Sequence, residues 1–278
     1  MQEARWSTGM IVDVQTGEVL ALSTWPSFNS NNLNEMTGEN QRNRALLDVF
    51  EPGSVMKPFT VAAALDSGKY TTTSLIDTNP GSIRVRGYTI RDHNNLGRIT
   101  LGTLLQKSSN VASTKIALSL PPDAITNMQK QFGFGSKTPL QFPGEGSGLV
   151  VTPKEKETSR RATVSYGYGL QVTLAQVAQA YSALAAGGVM HPLMLTKDGE
   201  RPPTKRIMAH EQAMSIVQMM ESVTEPGGTA KGAAIDGYRV AGKTGTSRRI
   251  NPKGGYYTAP SRNVFAGMAP ASNPKQVG

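Results

Sequence analysis

Glu51-Pro-Gly-Ser54-Val-Met-Lys57-Pro-Phe59 is the stretch from which the rest of the chain is read. Pro52-Gly53 ends the segment before it, and a helix is expected to start at Ser54. Pro58 fits there because the first N–H groups of a helix have no internal partner. Phe59, Ala62, Ala63 and Leu65 then make a buried face, and Gly68 suits the C-terminal cap. Positions i and i+3 share a helix face, so Ser54 Oγ and Lys57 Nζ can meet. A serine hydroxyl is a poor nucleophile at neutral pH and needs a base beside it. Lysine serves only when neutral, and neutralising one of ordinary pKa at pH 7 costs about 4–5 kcal/mol. Burial or a neighbouring cation lowers that cost.

Two later stretches complete the set: Ser108-Ser-Asn110 and Lys243-Thr-Gly-Thr246. Ser108 can pass a proton between Lys57 and a leaving amine. Asn110 can both donate to and accept from an amide. Lys243 is the candidate cation beside Lys57, and its charge also suits a substrate carboxylate, to which Thr244 and Thr246 offer hydroxyls. Gly245 is read as a place where a substrate backbone approaches the strand edge. The N–H of Ser54 can supply half of an oxyanion hole. Each motif alone is weak. Ser272-Asn-Pro-Lys275 repeats the first pattern, and Ser27-Phe-Asn29, Ser30-Asn-Asn32 and Ser261-Arg-Asn263 repeat the second. The ordered set with its flanking residues is what carries the signal.

Composition narrows the field. With 38% hydrophobic and 18% charged residues in 278, the chain can bury a core. It has no cysteine, which excludes disulfides and thiolate metal sites. His93, His191 and His210 are isolated in sequence, so a metal site is not expected. No apolar run reaches membrane-spanning length. A net charge of +9 suits an anionic partner, but no Lys/Arg run or zinc-finger spacing points to nucleic acid.

Periodicity gives the organisation. Residues 8–24 read as a hairpin turning at Gln15-Thr16-Gly17, and 26–43 as loop. Residues 70–100 read as loops and short strands. Residues 100–132 read as helix broken near Ser108 and at Pro121-Pro122, and 135–161 as irregular. Thr173 is a good N-cap for a helix through Ala186, and 209–223 gives another helix. Strands are expected over 238–249 and 262–269. A hairpin, then helices, then strands reads as α+β with one mixed core.

Five segments together resemble the class B penicillin-binding proteins, within them the division-specific septal transpeptidases. They are Glu51–Phe59, Gln106-Lys-Ser-Ser-Asn110-Val, Phe142-Pro-Gly-Glu145, Tyr166-Gly-Tyr168-Gly-Leu and Ala241-Gly-Lys243-Thr-Gly-Thr246. Thr89-Ile-Arg-Asp92 fits as well. The resemblance implies the transpeptidase fold shared with serine β-lactamases, an antiparallel sheet flanked by helices. It implies that Ser54 is acylated with Lys57 as base, and that Ser108 and Asn110 form the second motif. Lys243, Thr244 and Thr246 then hold a substrate carboxylate, Gly245 lies between them, and the N–H groups of Ser54 and Thr246 form the oxyanion hole. The implied partners are peptidoglycan stem peptides ending in D-Ala-D-Ala, β-lactam antibiotics and, by analogy, a septal glycan polymerase and divisome proteins. The implied site of action is the periplasmic face of the bacterial inner membrane.

On the same resemblance, residues 1–278 are expected to be a transpeptidase-domain fragment. A membrane anchor, a non-catalytic N-terminal domain, the last sheet strand and the C-terminal helix are expected to lie outside it. Such a piece would have unpaired sheet edges and lower stability. Two other readings of the fold use water as acceptor, a D,D-carboxypeptidase and a β-lactamase. A third is a non-catalytic β-lactam sensor or scaffold. No distinctive acidic motif supports the β-lactamase reading, although Glu145 and Glu155 lie in the irregular middle stretch.

Overall fold

The computed structural model describes residues 4–197, 200–250 and 256–278. The hairpin forms as β1 (Ser7–Asp13) and β2 (Val19–Trp25). Its turn closes because Asp13 Oδ1 accepts from the N–H groups of Gln15 and Thr16, while Gly17 takes a left-handed conformation at φ 78°. After α1 (Arg44–Leu47) comes a 3₁₀ turn at Gly53–Met56, and α2 follows directly over Lys57–Asp66. The α-helix therefore starts three residues later than expected. The pairing of Ser54 with Lys57 survives, because a 3₁₀ turn has three residues per turn and also stacks i on i+3.

Short strands β3 (Ile76–Asp77), β4 (Ser82–Val85), β5 (Tyr88–Arg91) and β6 (Arg98–Ile99) form two small ladders. Helices α3 (Leu101–Lys107), α4 (Asn110–Ser119) and α5 (Ala124–Gln131) break where expected, at Ser108 and at the proline pair. Then come α6 (Thr158–Val164), α7 (Leu174–Ala185), β7 (Val189–Met190), β8 (Lys205–Arg206) and α8 (His210–Glu221). Thr173 caps α7 in a full capping box with Gln176. The chain ends with β9 (Ala241–Ile250), β10 (Tyr256–Ala269) and β11 (Gln276–Val277).

These last strands and the hairpin build one antiparallel sheet in the order β2-β1-β11-β10-β9. Between the hairpin and β10, Gln276 and Val277 form a two-residue strand that pairs with Val12 and Asp13 at one end of β1. Val277 pairs with Val12 on one side and Met268 on the other, and Gly278 exchanges both backbone hydrogen bonds with Gly267. A two-residue strand has no alternation by which sequence could reveal it.

The core lies between this sheet and the helices. Helix α2 is its axle, with every residue from Lys57 to Leu65 buried. A helix apolar on all sides belongs in such a position. Phe59 packs against Phe132, Phe134 and Tyr181 at ring-centroid distances of 4.9, 5.0 and 5.6 Å. Tyr181 on α7 donates its hydroxyl to the Val55 carbonyl at 2.8 Å, and Thr60 donates to the Ser165 carbonyl at 2.7 Å. The 3₁₀ turn that carries Ser54 is thus tied to the middle of the core.

Candidate active site

Ser54 is held by two glycines. Gly53 donates its N–H to the Gly167 carbonyl at 3.0 Å. A Cβ on Gly167, which sits at φ 89°, would lie 1.9 Å from the Gly53 carbonyl oxygen. A Cβ on Gly53, at φ 64°, would lie 2.8 Å from the Thr246 carbonyl oxygen. Gly53 is therefore clamped between the Tyr166–Gly169 turn and β9, where only glycine fits. Glu51 tightens the same joint by accepting the Gly169 N–H at 2.8 Å.

Lys57 Nζ lies 2.9 Å from Ser54 Oγ. It is also 2.6 Å from the Ser108 carbonyl, 2.9 Å from Ser108 Oγ and 2.8 Å from Asn110 Oδ1. The side chain is fully buried. Burial, and secondarily the charge of Lys243, push its pKa well below the usual lysine range, and Asp92 opposes them. A neutral amine has two N–H groups and one lone pair. The Ser108 and Asn110 carbonyl oxygens can only accept and can take both N–H groups, which leaves the lone pair facing the hydroxyls of Ser54 and Ser108. Burial and the charge of Lys243 thus favour the protonation state that a general base needs, and the acceptors fix the direction of the amine.

Ser108 caps α3 in a left-handed conformation at φ 57°, uncommon for a residue with a side chain. That backbone aims its carbonyl at Lys57 and sets its hydroxyl between the two lysines, with Lys243 Nζ donating to Ser108 Oγ at 3.0 Å. Lys243 is also fully buried, and desolvation lowers its pKa to about 7. Its other partner is the Thr244 carbonyl at 3.1 Å. Lys243 therefore stands behind Ser108, while Thr244 and Thr246 face the cleft.

The cleft, of about 610 Å³, is lined by Ser54, Ser108, Asn110, Tyr168, Thr244 and Thr246 among others. All the site residues expected from sequence converge on it, with Lys57 and Lys243 as its buried floor. Gly245, which lines the cleft, also has a packing reason to be glycine. Its Cβ would point inward, 2.7 Å from the Pro52 carbonyl and 3.0 Å from Val55. The glycine lets β9 lie against the nucleophile turn. The second copy of the first motif, Ser272–Lys275, lies in the turn between β10 and β11. Glu145 is buried, accepting from Thr138, and Glu155 pairs with Arg161. Neither lines the cleft.

Sequence reasoning left Thr229, Asn263 and the role of Asp92 unassigned. Thr229 Oγ1 is 2.8 Å from Thr244 Oγ1, and Asn263 Oδ1 accepts from Thr246 Oγ1 at 3.3 Å. Asn263 stands in one of the repeats of Ser-x-Asn that carry no signal by themselves. Tyr168 donates to the Thr246 carbonyl at 3.2 Å. Its neighbour Tyr166 has a pKa raised to about 12 by burial and by Tyr168, so it stays protonated. Among the described residues no cluster of His, Cys, Asp and Glu could hold a metal, and no helix is long and apolar enough to cross a membrane.

Comparison with known proteins agrees with this geometry. The family model "Penicillin binding protein transpeptidase domain" matches residues 7–278. The chain is 42% identical over 276 residues to the peptidoglycan D,D-transpeptidase FtsI of Escherichia coli K12, covering 98% of this chain and 46% of that protein. It is 37% identical over 275 residues to the probable peptidoglycan D,D-transpeptidase PenA of Neisseria gonorrhoeae, covering 99% and 47%. The chain thus spans about half the length of these curated relatives. The transpeptidase domain of penicillin-binding protein 3 from Burkholderia pseudomallei superposes with a TM-score of 0.87 at 41% identity, over 99% of this chain and 78% of that one. With its serine–lysine pair, its bridging serine and its Lys-Thr-Gly strand assembled on one cleft, the chain belongs to the penicillin-binding protein transpeptidase domain family.

Proposed function

We propose that the chain carries the acyl-transfer centre of a septal peptidoglycan D,D-transpeptidase. The observation behind this reading is the Lys57 amine 2.9 Å from Ser54 Oγ, in a position where burial and the nearby Lys243 favour its neutral form. Ser54 Oγ attacks the carbonyl of the penultimate D-Ala of a donor stem peptide, and its proton passes to Lys57. The N–H groups of Ser54 and Thr246 stabilise the oxyanion. The C–N bond breaks, and the departing D-Ala amine takes the proton through Ser108 Oγ. An amine of a neighbouring stem then attacks the ester. Its proton returns through Lys57 to Ser54 Oγ as the ester bond breaks, leaving a cross-link and free enzyme.

Thr244 and Thr246 contact the donor carboxylate, and Lys243 attracts it from behind. Binding that anion raises the share of Lys243 that is charged, which in turn favours neutral Lys57. β-Lactams enter as donors and leave an ester on Ser54. The positions of Glu145 and Glu155 away from the cleft favour slow hydrolysis of that ester over β-lactamase turnover. Action at the periplasmic face of the inner membrane, with a septal glycan polymerase and divisome proteins as partners, extends the analogy with FtsI.

Intact mass before and after penicillin, followed by cross-linking of stem peptides, tests the reading. A lasting adduct on Ser54, together with cross-linking that Ser54→Ala abolishes, is expected. Rapid return to the free mass would indicate a β-lactamase, and an adduct without cross-linking a sensor.

A further inference from the structure

Thr89-Ile-Arg-Asp92 belongs to the segments that mark the family, yet the acyl-transfer scheme gives it no task. The structure puts it beside the second motif. Asp92 Oδ1 accepts the N–H groups of Asn110 at 2.6 Å and Val111 at 3.0 Å. Its Oδ2 accepts from Ser109 Oγ at 2.6 Å, and Ser109 Oγ in turn caps α4 by accepting the Ala112 N–H at 3.0 Å. One carboxylate thus grips three consecutive residues, 109 to 111, directly after the left-handed Ser108.

We propose that Asp92 is the positioning residue of the lysine cage: it locks the α3–α4 junction so that the Ser108 carbonyl and Asn110 Oδ1 converge on Lys57, and it supplies the negative charge facing that amine. A non-glycine residue in the left-handed region persists only when its surroundings over-determine it. Ser108 is fixed on its N-terminal side by α3 and on its C-terminal side by this grip. The junction also carries three of the four acceptors around Lys57 Nζ, so a small slip there would reorient the amine's lone pair. Charge balance agrees. Lys243 from β9 faces Lys57 with a like charge, Asp92 at the end of β5 faces it with the opposite one, and Ser54, Ser108 and Asn110 face it as neutral groups. Among the described residues, Asp92 is the one carboxylate lining the cleft.

The inference rests on the acyl-transfer reading, and its test separates the two. Acylation of the 278-residue chain by penicillin is measured from acid to alkaline pH for the wild type, Asp92→Asn and Asp92→Ala, with thermal melts alongside. Asparagine keeps the geometry, because its Oδ1 can accept both N–H groups and its Nδ2 can donate to Ser109 Oγ, but it removes the charge. Asp92→Asn is expected to keep the plateau rate within about threefold while its acid limb moves to lower pH, since Lys57 loses the charge that favours its protonation. Asp92→Ala is expected to lower the plateau by roughly 100-fold, the scale of a misplaced reacting group. A residue that only capped α4 would shift the melt and leave the limb in place. An unmoved limb in Asp92→Asn, or a wild-type plateau in Asp92→Ala, would overturn the proposal. A wild type that penicillin does not acylate would overturn the acyl-transfer reading itself.

Discussion

The Cβ that Gly167 lacks would sit 1.9 Å from the carbonyl oxygen of Gly53, the residue before the nucleophile. No side-chain rotamer relieves such a clash, because both atoms belong to backbone-fixed positions. Gly167 is also at φ 89°, so alanine there carries conformational strain as well. Gly167→Ala is expected to push the Ser54 turn away from Lys57 and to destabilise the fold by at least about 2 kcal/mol. Acylation by penicillin should fall by roughly 100-fold or more. Denaturant melts and acylation rates check both. Wild-type acylation in a well-folded Gly167→Ala protein would show that the clamp does not position the serine.

Two buried lysines make stability depend on pH in a definite direction. Lys243 has a folded-state pKa of about 7, against about 10.4 for an unfolded chain. Lys57 is lowered too, chiefly by burial. Between those values the unfolded state holds protons that the folded state has released, so stability rises with pH from about 7 towards 10. Below pH 7 both states of Lys243 are protonated and the full cost of burying its charge is present, on the order of 4 kcal/mol. In the protein without substrate Lys243 alone is therefore expected to add about 2–3 kcal/mol between pH 6 and pH 9 in urea titrations, and Lys57 adds in the same direction. Lys243→Met should be more stable than wild type at pH 6 and should flatten the rise, while losing acylation. Stability that is level or falling across this window in the wild type would contradict the pKa assignments.

The site was more legible than the packing around it. Ser54 and Lys57 are three residues apart, and that spacing brings them together in either kind of helical turn. The Thr173 cap and the hairpin turn at Gly17 likewise follow from local rules. What stayed hidden depends on contacts between distant segments. A side chain at Gly245 would meet Pro52 and Val55, a constraint set by a segment nearly 200 positions earlier. Ser108 is left-handed because two helices meet there, and nothing in Ser-Ser-Asn announces it. Asp92 lies 17 to 19 positions before the residues it grips. Gln276–Val277 is too short to carry a strand pattern, so its place between β1 and β10 could not be read from those two residues.

Tyr181 offers a test of how firmly the core holds the nucleophile turn. Its hydroxyl is the hydrogen-bond donor to the Val55 carbonyl, one residue after Ser54. It is fully buried, and burial pushes its pKa well above the usual tyrosine value. Phenylalanine keeps the ring against Phe59 and removes only the donor, leaving a buried carbonyl without that partner. Tyr181→Phe is expected to cost about 1–3 kcal/mol, which in a chain of this size lowers the melting temperature by roughly 2–10 °C. Loss of the tether should also slow acylation at Ser54, by roughly 10-fold if the turn shifts by a few tenths of an ångström. The two readouts separate the roles of the bond. A lower melt with unchanged acylation would mean that it stabilises the core alone. A change in both would mean that the aromatic cluster under α2 sets the position of the serine.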